Sequence, residues 1–592
     1  MTTDQALLFG LFGAILVLMI WGRWRYDLVA LAGLVAAVLL GPVPAAQAFN
    51  GFGHPAVMTV ALILVVTAGL QRSGAVALLA KHLGRPDRSL PLHLAVFGGV
   101  GAFMSGFMNN VAALAILMPI DRRVAEKAGR AAGLTLMALA FTTILGGMAT
   151  LIGTPPNLIV STFRQEALGT PYRMFDFLPV GGLVALAGVV FIALIGWRLV
   201  PQRAGNAIGA ETRIRDYVTD LIVTEKSPLV GQTVRDVHDG TEKADVHIFA
   251  VVRDGKRLHG WMGAPAIQPG DHLLIEASPA ALEEFRAAQK LAFPDGTNQS
   301  GGVRPEGGGQ VLIEMLVPET ARIVGKTSHG AGLAFRYDAV LMGILRRGQT
   351  IRDNVRRTRI EPGDMLLMLV PESRRDAVVD GLGVIALDGG GAEVIKESRI
   401  WIALGLFIGA IVAASFGITS MAVALAAVVI GYVLAGVLSI EELYDHVDWP
   451  VIVLLGAMIP LGMALDSTGA SGLIAGGLAA MTSGLPAWVA LVALMVATMF
   501  LSDVLNNNAT TIIAAPVSIR LAEQLGVNPD PFLMGVAVAA SCAFLTPIGH
   551  QNNTLVLGPG GYRFGDYWRM GLPLEIIVLA VGVPALLTFW PL

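Results

Sequence analysis

Charged residues are scarce in this chain, and cysteine is almost absent. Only 14% of the 592 residues are Asp, Glu, Lys or Arg, whereas soluble globular proteins contain about 25%. Hydrophobic residues make up 54% of the chain. The single cysteine, Cys542, excludes an intrachain disulfide, and the net charge of −3 gives no indication of nucleic-acid binding. The stretch MTTDQALLFG has no basic residue before the first apolar run, so a cleaved signal peptide is not expected. This composition predicts an integral membrane protein.

The polar residues are concentrated in one central block. Apolar segments fill residues 1–203 and 396–592, and a membrane span needs about 20 apolar residues. We expect spans at residues 7–21, 28–40, 57–70 and 178–200 in the first half, and at 400–416, 422–438, 450–465 and 567–591 in the second. Each half also contains a predicted re-entrant hairpin, near 90–120 and 487–520, and a predicted broken helix, near 134–163 and 532–557.

The distribution of arginine and lysine predicts the orientation of the two halves. Basic residues follow the first span, the third span, the first hairpin and the last span of the first half: Arg23, Arg25, Arg72, Lys81, Arg85, Arg88, Arg122, Arg123, Lys127, Arg130, Arg198 and Arg203. Because cytoplasmic loops carry an excess of such residues, we expect a multi-pass protein of the inner or plasma membrane with a cytoplasmic insert and both termini outside. The second half then begins inside, so the two halves are predicted to be inverted repeats, as in many secondary transporters.

Two clusters of uncharged polar residues recur within apolar sequence. SGFMNNVAAL begins at Ser105 and SDVLNNNATT at Ser502, 397 positions later. Each is followed by a glycine-containing break, GTPPN at 153–157 and GHQNN at 549–553. Non-helical backbone at membrane depth survives only where it is buried in protein or lines a cavity. Its carbonyls, with Ser and Asn oxygens, predict a cation cage suited to Na⁺, and helix N-termini beside the cage predict an anion site. The alternative is that these residues only hydrogen-bond helices together.

The motifs SGFMNNVA, GGMATLIGTPPN, SDVLNNNATT and SCAFLTPIGHQNN resemble those of the divalent anion/sodium symporter family of the ion transporter superfamily. The resemblance covers both membrane halves and implies elevator-type alternating access by a homodimer with two Na⁺ sites. It implies one Na⁺ site at Ser105, Asn109, Asn110 and Gly153, and another at Ser502, Leu505 (through its carbonyl), Asn507 and Gly549. It implies substrate contacts from Asn109, Asn110, Val111, Thr154, Pro155, Asn506, Asn507, Asn508, His550 and Gln551.

The hairpin tips depart from the family signature. They read Asn-Asn-Val and Asn-Asn-Asn where the family has Ser-Asn-Thr twice, and His550 and Gln551 replace Thr-Pro. The pocket therefore lacks both tip hydroxyls and is rich in amide donors, which favours a compact oxyanion over a four-carbon dicarboxylate. For His550 two roles remain open, an imidazolium that contacts the substrate and a neutral imidazole that is bonded to helix backbone.

The central block contains an internal repeat. Residues 208–290 and 311–388 each carry an apolar strand, a turn at RDGK or RRGQ, and PGD before an alternating apolar strand, and residues 291–310 form a linker. The pattern resembles two TrkA C-terminal (RCK-C) modules, which dimerise and bind small regulatory ligands. The alternative is a structural dimer clamp without a ligand. The block has no P-loop, GxGxxG or Cys/His metal cluster, so no nucleotide-driven pump is expected.

These features predict a Na⁺-coupled symporter of a small anion, sulfate first, and not an enzyme. Symport of dicarboxylates or sulfur-containing organic anions, coupling to H⁺, and an anion channel gated by the cytosolic modules remain alternatives. A membrane enzyme would need an acid or base at membrane depth, and the candidates are Asp121, Asp466 and Asp503. We expect these aspartates to cap helices at hairpin ends or, for Asp503, to contribute to the cation site.

Overall fold

A computed structural model gives the chain as two compact units. One comprises Met1–Arg203 and Gly389–Leu592, and the other comprises Ala204–Asp388. The structure describes residues 1–21, 23–74, 87–201, 218–232, 246–253, 256–257, 266–277, 279–293, 310–318, 321–328, 330–337, 339–346, 349–351, 355, 358–371, 374–387, 397–440 and 443–592. The basic residues Lys81, Arg85 and Arg203, and most of the predicted linker 291–310, lie outside the described residues.

The first part of the membrane unit is built from apolar helices that begin and end at local signals. The helices are α1 Thr3–Trp21, α2 Tyr26–Leu40, α3 Pro55–Arg72, α4 Leu90–Ser105, α5 Asn110–Lys127, α6 Leu136–Gly147, α7 Pro155–Leu168 and α8 Leu183–Leu194. Proline at the first helical position starts α3 and α7, where its missing N–H costs nothing. Gly169 ends α7 with φ of 79°, a left-handed conformation that favours glycine.

The second arm of the first hairpin is longer than the sequence indicated. Helix α5 continues to Lys127, so Arg122, Arg123 and Lys127 lie in a helix and not in a loop after the hairpin. Arg122 is buried and its Nε lies 3.2 Å from Glu126 Oε1, one turn further along. The amphipathic pattern of this last turn continues the helix beyond the apolar stretch.

The central unit contains two sheets with the same strand order. The strands are β1 Val218–Val223, β2 Val246–Arg253, β3 Lys256–Arg257, β4 His272–Ala277, β5 Leu291–Ala292, β6 Gln310–Leu316, β7 Val340–Arg346, β8 Gln349–Ile351, β9 Met365–Pro371 and β10 Ile385–Ala386. The sheet orders are β3-β2-β4-β1-β5 and β8-β7-β9-β6-β10. The helices are α9 Pro279–Ala288, α10 Leu333–Arg336 and α11 Arg375–Leu382. All described pairings are antiparallel, and each sheet has its own apolar core.

Each sheet contains an equivalent Arg–Asp ion pair, here called its brace. Arg253 Nε lies 2.7 Å from Asp271 Oδ1, and Arg346 Nε lies 2.8 Å from Asp364 Oδ1. Each arginine also donates to a backbone carbonyl on the approach to the aspartate, and each aspartate side chain is only 1% exposed. The matching pairs, together with the matching strand order, make the two sheets structural copies of each other.

The second part of the membrane unit contains nine helices among its described residues. These are α12 Glu397–Ser415, α13 Met421–Leu434, α14 Trp449–Ser467, α15 Ala470–Met481, α16 Ala487–Val504, α17 Asn507–Leu525, α18 Asp530–Ser541, α19 Gln551–Leu557 and α20 Tyr567–Phe589. Helix α15 was not expected from the sequence. Five stretches in the described residues are long and apolar enough to cross a membrane: Thr3–Trp21, Pro55–Arg72, Trp449–Ser467, Ala487–Val504 and Phe564–Phe589.

The membrane unit divides into two groups of packed helices. One group contains α1–α3 and α12–α15, and the other contains α4–α8 and α16–α20. Their contacts run mainly between α14 or α15 and α17, with a smaller contact between α3 and α7. Arg520 of α17 and Asp466 of α14 form a bidentate pair across this boundary, with both N–O distances at 2.8 Å.

The first testable prediction concerns the brace of the first sheet. Burial raises the pKa of the Asp271 carboxyl, but hydrogen bonds from Arg253 and from the Gln268 N–H outweigh it, so the pKa lies below its ordinary 3.8. The stabilisation is therefore present above the unfolded pKa of about 3.9 and is lost as pH falls through the folded pKa. We expect Asp271→Asn to lower the free energy of unfolding of the first sheet by about 1–3 kcal/mol at pH 7. Near pH 3 the difference in this free energy between the variant and wild type should be smaller.

Hydrogen exchange of β1 and β4 in the full-length protein measures this effect. Asp376→Asn is the control, because the Asp376 side chain is 76% exposed and lies 3.5 Å from Arg375. Equal exchange in Asp271→Asn and Asp376→Asn at pH 7 would contradict the prediction.

Candidate functional site

The first hairpin tip joins α4 to α5 through a serine–asparagine pair. Ser105 ends α4, and its Oγ donates to Asn110 Oδ1 at 2.5 Å. Asn109 caps α5, since its Oδ1 accepts from the Val111 N–H at 3.0 Å. Ser105 and Asn110 are 0% and 4% exposed, so the pair places two polar side chains inside an apolar unit.

The second hairpin tip repeats this arrangement between α16 and α17. Ser502 Oγ lies 3.0 Å from Asn507 Oδ1, and Asn506 caps α17 by accepting from the Asn508 N–H at 2.7 Å. Leu505 lies between the two helices in an extended conformation and is buried. The side-chain pairing has the same spacing of five residues at both tips, so the structure brings together the serine and asparagine that each cage was predicted to share.

Each helix break brings a glycine against its own tip. A Cβ at Gly549 would lie 3.0 Å from Ser502 O and 3.1 Å from Asp503 Cα. In the first half, a Cβ at Gly153 would lie 3.0 Å from Gly147 Cα, and one at Gly147 would lie 3.1 Å from Asn110 Cγ. Only glycine allows these approaches. In the second half the cage glycine therefore lies against the tip serine, whereas in the first half Gly153 lies against Gly147, which in turn lies against Asn110.

His550 has the geometry of a neutral imidazole bonded to helix backbone. It caps α19, because its Nδ1 accepts from the Asn552 N–H at 3.1 Å. A ring nitrogen that accepts carries no proton, so the ring has its proton on Nε2. This Nε2 lies 3.3 Å from Asn110 Nδ2, and since both nitrogens then carry protons the pair is a contact and not a hydrogen bond. This geometry corresponds to the second of the two roles that the sequence left open, a neutral imidazole bonded to helix backbone. His550 also contacts the first hairpin tip.

Asn552 adds a second link between the halves that sequence reasoning missed. Its Nδ2 donates to Asn110 O at 3.1 Å and to Thr143 Oγ1 at 2.8 Å. Asn552 is fully buried, as is Thr143. The only sequence signal for this role was the adjacent asparagine in NN of GHQNN. The tip of the first hairpin is therefore hydrogen-bonded to the break of the second half.

The remaining predicted substrate contacts lie at four helix N-termini. Val111 lies in the first turn of α5, Thr154 and Pro155 begin α7, Asn507 and Asn508 begin α17, and Gln551 begins α19. Helix α5 packs against α19, and α7 packs against α17. The N-termini of α5 and α19 meet directly, because Asn552 donates to Asn110 O. The predicted contacts include no arginine or lysine, so N–H groups are the donors available to an anion.

The three aspartates do not cap helices in the expected way. Asp121 lies within α5 and accepts from Thr135 Oγ1 at 2.5 Å, while its Oδ1 lies 2.6 Å from His93 Nε2, so it joins α4, α5 and the start of α6. Asp466 pairs with Arg520 across the boundary between the helix groups. These groups find partners on other helices, which local sequence does not reveal.

Asp503 binds the second break. Its Oδ1 accepts from the Leu545 N–H at 2.9 Å, and its carboxyl interacts with that of Glu575 on α20. Glu575 is a second buried carboxyl at membrane depth. Sequence reasoning did not single it out, because one acidic residue in a long apolar helix has no repeated partner in the chain.

Comparison with known proteins places the chain among anion transporters. It matches the family described as CitMHS, citrate transporter, over residues 16–494 and 486–592. An uncharacterized transporter of Synechocystis is 31% identical over 95% of this chain and 93% of its own length. A putative sulfur deprivation response regulator of Chlamydomonas reinhardtii is 26% identical over 96% and 98%. Sodium/sulfate cotransporter 2 of the same alga is 20% identical over 91% and 84%.

These matches confirm the prediction at the level of an ion transporter. The matching family is named for citrate, whereas the sequence motifs resembled those of divalent anion/sodium symporters. The match extends over both membrane parts and the central unit. The chain is therefore a polytopic membrane protein that belongs to the citrate transporter (CitMHS) family, and it is an anion transporter.

Proposed function

We propose that this protein is a Na⁺-coupled symporter that carries sulfate. The observation that carries the proposal is the duplicated serine–asparagine pair, Ser105 with Asn110 and Ser502 with Asn507, each beside a glycine of a broken helix. We propose that these two similar oxygen clusters flank one group of helix N-termini. That arrangement supports two cations bound on either side of one anion.

The oxygen clusters have the chemistry of a Na⁺ site. Their proposed ligands are hydroxyl, amide and carbonyl oxygens, and none is a carboxylate. Unwound backbone carbonyls and half-helix ends coordinate Na⁺ in other secondary transporters. We propose that Ser105, Asn109, Asn110 and Gly153 hold one ion, and that Ser502, Leu505, Asn507 and Gly549 hold the other.

The anion is held between these sites by N–H dipoles. Positive helix ends attract an anion, and a co-bound Na⁺ adds an attraction that is strong where water is excluded. A compact tetrahedral dianion is surrounded by several donors at once, whereas a longer dicarboxylate extends to tip positions occupied by Val111 and Asn508. The relative named a sodium/sulfate cotransporter supports the same assignment.

We propose that the two parts of the membrane unit are inverted repeats and that transport is of the elevator type. The hairpin, tip, helix and break follow in the same order in both parts. The group α4–α8 with α16–α20 contains every proposed binding residue. It is the proposed mobile body, and α1–α3 with α12–α15 form the scaffold and the homodimer contact.

We propose that the central unit is a cytoplasmic regulator. Its duplicated sheets and duplicated Arg–Asp braces support two RCK-C-like modules. A small regulatory ligand that stabilises one arrangement of the modules would change the rate of the attached transporter.

The second candidate is symport of a carboxylate. The family name, citrate transporter, favours it. The absence of hydroxyls at both hairpin tips disfavours it. An anion channel gated by the central unit is a further alternative, and it would conduct without the Na⁺ dependence that the two oxygen clusters predict.

The prediction for transport concerns the two asparagines of the cages. Wild-type protein in proteoliposomes is expected to accumulate labelled sulfate when a Na⁺ gradient is imposed. Asn110→Ala and Asn507→Ala are each expected to abolish this uptake, because each removes an oxygen from a buried site where the cation cannot be rehydrated cheaply. Asn528→Ala, on the loop before α18, is the control. Normal Na⁺ dependence in both cage variants would refute the cage assignment.

The prediction for selectivity uses thermal stability of the purified protein. Sulfate and thiosulfate are expected to raise Tm in Na⁺ and not in choline, because the proposed site has no lysine or arginine and depends on co-bound Na⁺. Succinate and citrate are expected to leave Tm unchanged. Stabilisation by a carboxylate alone would favour the second candidate, and equal stabilisation by sulfate in choline would contradict the coupling.

The prediction for topology uses a cysteine-free background made by Cys542→Ala. Thr2→Cys is expected to react with an impermeant thiol reagent in intact cells, and Glu225→Cys only after permeabilisation, because the lysine/arginine distribution places the termini outside and the central unit inside. Both positions are exposed on the protein. Labelling of Glu225→Cys in intact cells would overturn the orientation.

A further inference from the structure

We infer that a threonine and an asparagine in each half form a relay that sets the geometry of one cation site. The relays are Thr150 with Asn157 and Thr546 with Asn553. The inference rests on the sodium-coupled function proposed above. It adds residues that lie outside the hairpin tips and outside the predicted ligand sets.

The first relay connects the first break to the first tip. Thr150 lies between α6 and α7, and its hydroxyl donates to the carbonyl of Gly106, the residue after Ser105. The Thr150 carbonyl accepts from Asn157 Nδ2 at 2.8 Å. One residue of the unwound segment is thus fixed to the tip by its side chain and to α7 by its backbone.

The second relay repeats both bonds, and the Thr546 hydroxyl also accepts from the N–H groups of Ile548 and Gly549 at 3.2 and 3.1 Å. The Thr546 hydroxyl donates at 2.9 Å to the carbonyl of Asp503, the residue after Ser502. The Thr546 carbonyl accepts from Asn553 Nδ2 at 3.0 Å, and Asn553 Nδ2 also reaches Ala543 O at 2.8 Å. The threonine, the asparagine and the tip carbonyl all lie 396 or 397 positions after their counterparts. A chance hydrogen bond would not recur with all three partners conserved in position.

The side-chain oxygen of each asparagine accepts no hydrogen bond from the described part of the protein. Asn157 and Asn553 are 1% and 0% exposed, and the Oδ1 of each has no hydrogen-bond partner in the described part of the chain. A buried acceptor without a donor costs free energy. A cation held by the carbonyls of the break supplies the missing partner.

The relay explains how an unwound segment keeps a fixed geometry. The threonine hydroxyls hold ligands of the proposed site without binding the ion themselves, and removal of such a group typically lowers metal affinity about 10- to 100-fold. Each threonine hydroxyl fixes the tip carbonyl against the break, next to the serine and glycine of the proposed cage. Loss of that hydroxyl should weaken cation binding and leave the anion donors at the helix N-termini in place.

The test replaces each threonine hydroxyl while keeping its shape. Thr150→Val and Thr546→Val remove the donor, and Thr150→Ser and Thr546→Ser retain it. Thr142→Val is the control and matches Thr150 in burial, since Thr142 is buried on α6 but donates only to Leu139 O in its own helix. Labelled sulfate uptake in proteoliposomes is measured against Na⁺ and, at saturating Na⁺, against sulfate. The Na⁺-dependent rise in Tm is measured in parallel, so that a folded variant without transport still reports cation binding.

The expected result separates the two ligands. Both valine variants should raise the Na⁺ concentration for half-maximal effect by about 10- to 100-fold, and both serine variants should restore it. The sulfate concentration for half-maximal uptake should stay at the wild-type value in all of them. Valine variants that match Thr142→Val in their Na⁺ titration would overturn the relay while the proposed function stands. A wild-type protein with no Na⁺ response would overturn the proposed coupling and the relay with it.

Discussion

Unwound backbone inside an apolar unit needs hydrogen-bond partners, and this constraint governs the arrangement of the membrane unit. The segments between α6 and α7 and between α18 and α19 have lost their helical hydrogen bonds where water is scarce. Asn157 and Asn553 donate to the freed carbonyls, and Asp503 accepts a freed N–H. These three side chains hydrogen-bond to the backbone of the breaks, and each hairpin tip lies next to a break.

The two halves satisfy the constraint differently. After the glycine, the first break reads Thr-Pro-Pro and the second reads His-Gln-Asn. Pro156 occupies the position of Asn552 and has no polar side chain, whereas Asn552 donates to Asn110 O of the opposite tip. The acid Asp503 stands where the first half has Gly106. The two tips and breaks therefore differ chemically, and Asn110 is the tip residue that the second break contacts.

The boundary between the helix groups is a mixture of apolar packing and a few ion pairs. Arg520 and Asp466 pair across it while both remain more than a third exposed. Exposed pairs contribute about 0–1 kcal/mol, so this contact orients the groups without locking them. By contrast, Arg164 and Asp530 pair within the group that holds the proposed site, where Tyr172 also donates to Asp530. The buried polar contacts of Asp530 thus lie inside that group, and the exposed pair of Arg520 and Asp466 lies at its boundary.

The sequence alone determined the membrane class, the central unit, both hairpins, both breaks and the serine–asparagine motif, because apolar runs, charge and spacing are local properties. The spacing of the two motifs indicated a repeated polar site, and the family resemblance implied the roles of Ser105, Asn110, Ser502 and Asn507 in it. Only the tertiary structure decided the extension of α5 to Lys127, the helix α15, and the partners of Asp121, Asp466 and Glu575. It also decided that Asn552 reaches the first tip and that Thr150 and Thr546 each join a tip to a break. Those contacts join residues far apart in the chain or depend on how an unwound segment turns, and no local pattern encodes which carbonyl a buried hydroxyl or amide will find.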